Sequence, residues 1–141
     1  MKKPKTQVTL LSSSDVDIIS VYRSDSMSNT ELARDLERIM DPSRLTVICG
    51  DFNLCYIDNR RNEVTKMLEN CGFSQLNREA SHFQGGHIDH VYSNHNPDKF
   101  QVNINQYCPY YLAKDHNALL ITITKTTKRL LRGYGKYSVT K

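Results

Sequence analysis

Apolar and polar positions along the 141 residues fall into short runs of two different periods. Val16-Asp17-Ile18-Ile19-Ser20-Val21-Tyr22 is rich in β-branched residues with partial alternation, and predicts a strand. Ser28-Asn29-Thr30-Glu31 has the spacing of a capping box, in which the serine accepts from the amide three residues on while the glutamate reaches back. Leu32, Leu36, Ile39 and Met40 follow at helical spacing, and Pro42 closes that helix. Leu45-Thr46-Val47-Ile48-Cys49 is a mostly apolar run that reads as a strand buried on both faces. It stops at Gly50 and leads into Asp51-Phe52-Asn53. A second helix is expected with Asp58 as its cap, Val64, Met67, Leu68 and Cys71 as its apolar stripe, and Gly72 as its terminator. Phe73 to Leu76 reads as a brief extended piece, Ser81 to His87 as a loop, and Ile88-Asp89-His90-Val91-Tyr92 as a short strand. Phe100, Val102 and Ile104 alternate with Gln101, Asn103 and Asn105, the pattern of a half-exposed strand. Asn117 to Thr124 alternates again, with Leu119, Ile121 and Ile123 on one face.

The order strand, helix, strand, helix, then short strands predicts an α/β fold, a mixed sheet with its helices on one face. No internal repeat or low-complexity linker interrupts it. The length fits a single domain with a real core. Charge divides that domain from its ends. Residues 1–5 hold three lysines and residues 125–141 hold six Lys or Arg, with no acid in either stretch. Residues 6–124 hold all 15 acids against 10 bases, a net of −5. The expected organisation is a basic and polar segment over 1–14, an α/β domain over 15–124 and a basic tail over 125–141. Basic ends of this kind can touch phosphates, although a solvated terminus explains them as well.

No apolar run approaches the length of a membrane span, and the apolar stretch near the start is too short for a signal peptide. Cys49, Cys55, Cys71 and Cys108 form no Cys-x-x-Cys pair, which suggests reduced thiols and an intracellular setting, nucleus or cytoplasm. A zinc site from His82, His87 and His90 lacks paired cysteines and fits no familiar ligand spacing.

The candidate chemistry sits at strand ends. Asp51 and Asn53 are two apart, so an extended chain would point both to one side. An Asx-type turn is the ordinary alternative for Gly, Asp and Asn in a row. Asp89 lies in the short strand after Gly85-Gly86, and Asp115-His116 precedes the last alternating run. Carboxylates and an amide converging above a sheet edge suit a hard cation, Mg²⁺ or Mn²⁺. An imidazole held by a second carboxylate has a fixed orientation. Taken singly, Asp89 could cap a turn and His116 could be a satisfied core or surface residue.

Gly50-Asp51-Phe52-Asn53, Ser81-His82 with Gly85-Gly86, Ile88-Asp89-His90-Val91, and Asp115-His116 before an apolar strand together resemble the endonuclease/exonuclease/phosphatase superfamily. The look is nearest to the endonucleases of mobile elements and endonuclease–reverse-transcriptase-like members. The resemblance covers the second half of that family's fold, a DNase I-like sandwich of two α/β halves packed sheet to sheet. It implies a phosphodiester hydrolase using Mg²⁺ or Mn²⁺, with nucleic acid, DNA in the first instance, as substrate and no membrane partner. It also implies roles. Asp51 would orient or deprotonate the attacking water and contribute to the metal site, and Asn53 would hold the water or donate to the phosphate. His116 would donate to a phosphate oxygen while Asp89 fixes its ring. Asp115 would serve the metal, and Tyr22 would contact the phosphate. Asp25, Arg23 and His82 are weaker phosphate or nucleic-acid contacts. The family's first half carries its principal metal-binding glutamate, so a first half or another chain is expected to cover the open sheet face. Two other readings stand beside this one: a phosphatase of the same fold, and a non-catalytic mobile-element remnant that binds nucleic acid.

Overall fold

The computed structural model describes residues 6–24, 27–53, 62–76, 89–107, 118–127 and 139–140. Its elements are β1 (Thr6–Ser12), β2 (Asp17–Arg23), α1 (Asn29–Ile39), β3 (Thr46–Asp51), α2 (Glu63–Asn70), β4 (Ser74–Gln75), β5 (Asp89–Ser93), β6 (Phe100–Tyr107), β7 (Ala118–Thr127) and β8 (Val139–Thr140). The chain is α/β. A five-stranded mixed sheet runs in the order β1-β2-β3-β5-β4, and β6, β7 and β8 form a three-stranded antiparallel sheet.

In the five-stranded sheet only β2 and β3 are parallel, joined through α1; the β1–β2, β3–β5 and β4–β5 pairs are antiparallel. A parallel pair needs a crossover, and the helix supplies it. Ser28 caps α1, its hydroxyl accepting from the Glu31 amide at 3.1 Å. The stripe read from the sequence is the buried face of that helix, with Leu32 and Leu36 fully enclosed. They pack with Val64, Met67 and Leu68 of α2 and with Ile19, Val21, Ile48 and Tyr92 of the sheet in a single cluster. Both helices therefore lie on one face of the sheet, as the element order predicts. Val47 and Val91 occupy the other face and are also fully buried, so β3 is enclosed on both sides, as its unbroken apolar run requires.

Gly50 is where β3 comes closest to β2. A β-carbon added there would lie 2.0 Å from the Val21 carbonyl oxygen, and its φ of +138° suits glycine alone.

Three sequence expectations change. Residues 1–14 are not merely a polar lead, because Thr6–Ser12 form β1 and pair along all of β2. The cap of α2 is Asn62 and not Asp58: its side-chain oxygen accepts from the amides of Val64 and Thr65, and Thr65 closes the box by accepting from the Asn62 amide. The last long strand continues to Thr127, and Val139–Thr140 pair with it, so the basic tail begins inside the second sheet. Gly72 does end α2, at φ +86°, its amide donating to Glu69 O at 3.0 Å. Cys49 and Cys71 are free thiols; Cys55 and Cys108 lie outside the described residues.

Candidate functional site

Strand register brings together three of the residues singled out by the sequence. Tyr22 of β2 is the direct partner of Asp51 of β3, and Asp51 is the direct partner of Asp89 of β5. Residues directly opposite across a sheet share a face. Tyr22, Asp51 and Asp89 are therefore one row across three adjacent strands, about 4.8 Å apart from strand to strand. On the far side Gln7 of β1 partners Tyr22 and extends the row to four strands. The row lies at the C-terminal ends of the parallel pair, where open α/β sheets place their ligands. Tyr22 is 54% exposed, and Asp51 and Asp89 are half-buried.

Two carboxylates directly opposite one another repel. Across an antiparallel pair their Cα atoms stand about 4.5–5.5 Å apart, and a half-buried position weakens the screening that water would supply. Carboxylate oxygens are also the ligand type that Mg²⁺ and Mn²⁺ take. Among the described residues no group of three His, Cys, Asp or Glu is close enough together to hold a metal ion. Asp51 and Asp89 thus place two carboxylates opposite one another at the strand ends, fewer than the three ligands such a group needs.

Asn53 sits differently from the extended expectation. Its φ is +45°, in the left-handed region, and its amide donates to Asp51 Oδ1 at 2.9 Å. The chain forms the Asx-type turn, so Asn53 does not simply alternate onto the face of Asp51. Asparagine tolerates that backbone better than most residues because its short amide bonds locally. The turn leaves Asn53 exposed beside Asp51, with its side chain projecting from a tight corner at the end of β3.

Between the two polar residues Phe52 turns into the core and is fully buried. Its ring stacks on His90 at 5.1 Å and 14°, and tilts against Tyr92 at 5.4 Å. The His90 ring is also fully buried, with Nδ1 2.9 Å from the Tyr92 hydroxyl. Alternation in β5 explains the division: Asp89 faces the row, while His90 and Tyr92 face the helices. His90 is therefore an interior residue and is not presented beside Asp89 as a surface ligand.

Arg23 is also on the helix side. The sequence places it among phosphate contacts, but it is only 7% exposed, with Nε and Nη2 donating to Met27 O and Nη1 donating to Phe52 O at 3.4 Å. Burial lowers its pKa, yet a guanidinium remains cationic at any ordinary pH. Asp25, His82, Asp115 and His116 lie outside the described residues; β7 starts two residues after His116.

Sequence reasoning did not find Gln7, Arg23 as a brace, or the Phe52–His90 stack. Gln7 was legible in principle, because Val8 and Leu10 alternate with Gln7 and Thr9. The concave surface lined by Arg44, Asn94, His95, Lys99 and Phe100 lies toward the start of β3 and the end of β5, away from the row. Two of its polar groups are committed to the fold: Arg44 pairs with Asp17 at 3.1 Å, and Asn94 accepts from the Thr46 amide and donates to Arg44 O.

No family model and no curated protein matches this chain. No helix among the described residues is long and apolar enough to cross a membrane.

Proposed function

We propose that this chain is the second half of a divalent-metal-dependent phosphodiester hydrolase of the endonuclease/exonuclease/phosphatase type, acting on nucleic acid. The observation that carries the reading is the register row of Tyr22, Asp51 and Asp89 at the C-terminal ends of β2 and β3. Four motifs in the family's order support it, and so does the exposed Asx corner that presents Asn53 next to Asp51. On this reading the five-stranded sheet, with both helices on one face, is one half of a DNase I-like sandwich. The exposed part of its other face, at β1 and β2 where Leu11 is 69% exposed and Tyr22 is 54% exposed, would receive a second α/β half from another segment or another chain.

The division of labour follows from the chemistry of each group. Asp51 and Asp89 would hold or flank Mg²⁺ or Mn²⁺, which would supply charge stabilisation at the phosphate when bound. Asp51 also aligns the attacking water, Asn53 donates to the water or to a phosphate oxygen, and the Tyr22 hydroxyl donates to the phosphate. By the resemblance, His116 would donate to a non-bridging oxygen with Asp89 fixing its ring, and Asp115 would contribute to the metal side. The basic ends favour a polyanionic substrate over a small phosphoester, with DNA the first to try.

A nicking assay on supercoiled DNA tests this reading, run on the chain joined to a first half that carries a metal-binding glutamate. Cleavage should need Mg²⁺ or Mn²⁺ and stop on chelation. Asn53→Ala should cost about 10²- to 10³-fold, the loss expected for one preorganised donor. Cleavage that continues in chelator, or an Asn53→Ala protein as fast as its parent, rules the mechanism out. Cleavage confined to small phosphomonoesters would move the assignment to a phosphatase.

A further inference from the structure

The buried arginine beneath the site has no part in the roles just given. Arg23 follows Tyr22, whose direct partner is Asp51, and Phe52 is the residue after Asp51. Two carbonyl groups converge on it from different elements. Met27 O, from the residue before the cap of α1, accepts from Nε and Nη2, and Phe52 O, at the exit from β3, accepts from Nη1. The Phe52 carbonyl belongs to the peptide unit that leads into Asn53. Holding its oxygen fixes the orientation of that peptide plane, and with it the direction of the Asn53 N–H, which donates to Asp51 Oδ1 and closes the Asx turn. At the same time the Phe52 ring is gripped by His90 and Tyr92.

The peptide before Asn53 is thus restrained at its oxygen and through its side chain, while Asn53 itself is exposed at φ +45°. A left-handed non-glycine residue is costly unless its surroundings enforce it. A buried guanidinium is likewise tolerated only when its donors are used. We infer that Arg23 is a positioning residue: it clamps the Phe52 carbonyl against the entrance of α1 and so holds Asn53 in the left-handed corner beside Asp51. Lysine cannot reproduce the clamp, because a single ammonium lacks the planar fork that reaches two carbonyls at once. The structural statement stands on geometry alone; its consequence for catalysis rests on the proposed function.

The test uses the full chain and NMR spectroscopy, with Arg23→Met and Arg23→Lys beside the wild type. The Cα and Cβ shifts of Asn53 report its left-handed backbone, and the Asn53 amide reports its bond to Asp51. In Arg23→Met both should move to the values of an extended or averaged chain, while Val47 and Ile48 in the middle of β3 keep their shifts. Arg23→Lys should fall between the two. Should Arg23→Met fail to fold, Arg23→Lys decides alone: partial loss of the left-handed Asn53 signature supports the clamp, and wild-type shifts overturn it. Unchanged Asn53 shifts in a folded Arg23→Met protein overturn it as well. A Mn²⁺ titration of the same samples separates the two levels. If Asn53 depends on Arg23 but no variant, wild type included, binds Mn²⁺ at the row, the positioning role stands and the metal-dependent reading fails. If Mn²⁺ binds and Asn53 ignores Arg23, the reverse holds.

Discussion

The carboxylate pair dominates at the scale of single residues. Asp51 faces Asp89 across β3 and β5, and like charges directly opposite cost up to about 1 kcal/mol. Asp89→Asn should therefore stabilise the metal-free chain by up to about 1 kcal/mol in urea unfolding at low salt, with the gain shrinking as salt is added. A destabilised Asp89→Asn protein would mean that the pair is not in net repulsion. Gly50 makes the opposite case. Its added β-carbon would meet Val21 O at 2.0 Å, at a φ of +138°, so Gly50→Ala should cost on the order of 3 kcal/mol by the same measurement. His95 adds a pH dependence. Burial lowers its pKa, so the folded state prefers the neutral ring. That contribution is fully present above the unfolded value of about 6.5 and is lost as pH falls through the lower folded value. His95→Gln should flatten the decline in stability as pH falls below about 6.5; an unchanged slope would assign that decline to other groups. Residue identity was the most legible part of the candidate site, whereas local geometry was not. Asp51 and Asn53 could be found from Gly50-Asp51-Phe52-Asn53, but their same-side placement assumed an extended chain. The Asx bond and the held Phe52 carbonyl bend it.

Element by element, legibility followed burial. β2, β3 and β5 are central strands whose apolar runs have no alternative use, and α1 announced both its cap and its stripe. β1 escaped notice because it is an edge strand. Thr6, Gln7 and Thr9 make its sequence look like polar lead-in, and its Leu11 is left 69% exposed, so little burial is written into its composition. The start of α2 turned on which of two capping residues had the right residue behind it. Asp58 has the chemistry, but Asn62 has Thr65 three positions on and forms the reciprocal box. Asn62→Ala should accordingly cost about 1 kcal/mol, within the 0.5–2 kcal/mol measured for cap removal, and should fray the first turn of α2. Hydrogen exchange at Val64 and Thr65, whose amides lose their acceptor, reads this directly. Unchanged exchange there would show that the cap is dispensable.

For the molecule as a whole, function depends on which strands become neighbours, and spacing along the chain does not state that. Asp51 and Asp89 are 38 positions apart and meet only because β5 inserts between β3 and β4. Tyr22 joins them because the α1 crossover makes β2 parallel to β3 in a register that aligns their ends. An α/β sheet with its helices on one face could be read from the order of elements; the row could be expected only through resemblance. The central claim is that this row holds a divalent cation. Mn²⁺ is the most direct probe, because its unpaired electrons broaden the signals of nearby nuclei. Titrated into the ¹⁵N-labelled chain, it should first bleach the amides of Tyr22, Asp51 and Asp89. Thr46 and Asn94 lie about five residues of strand away, on the order of 17 Å, and should retain their signals. Asp51→Asn should abolish the selective bleaching, and excess Mg²⁺ should reverse it. Bleaching centred elsewhere, or spread evenly over the acidic surface and unaffected by Asp51→Asn, would contradict the account.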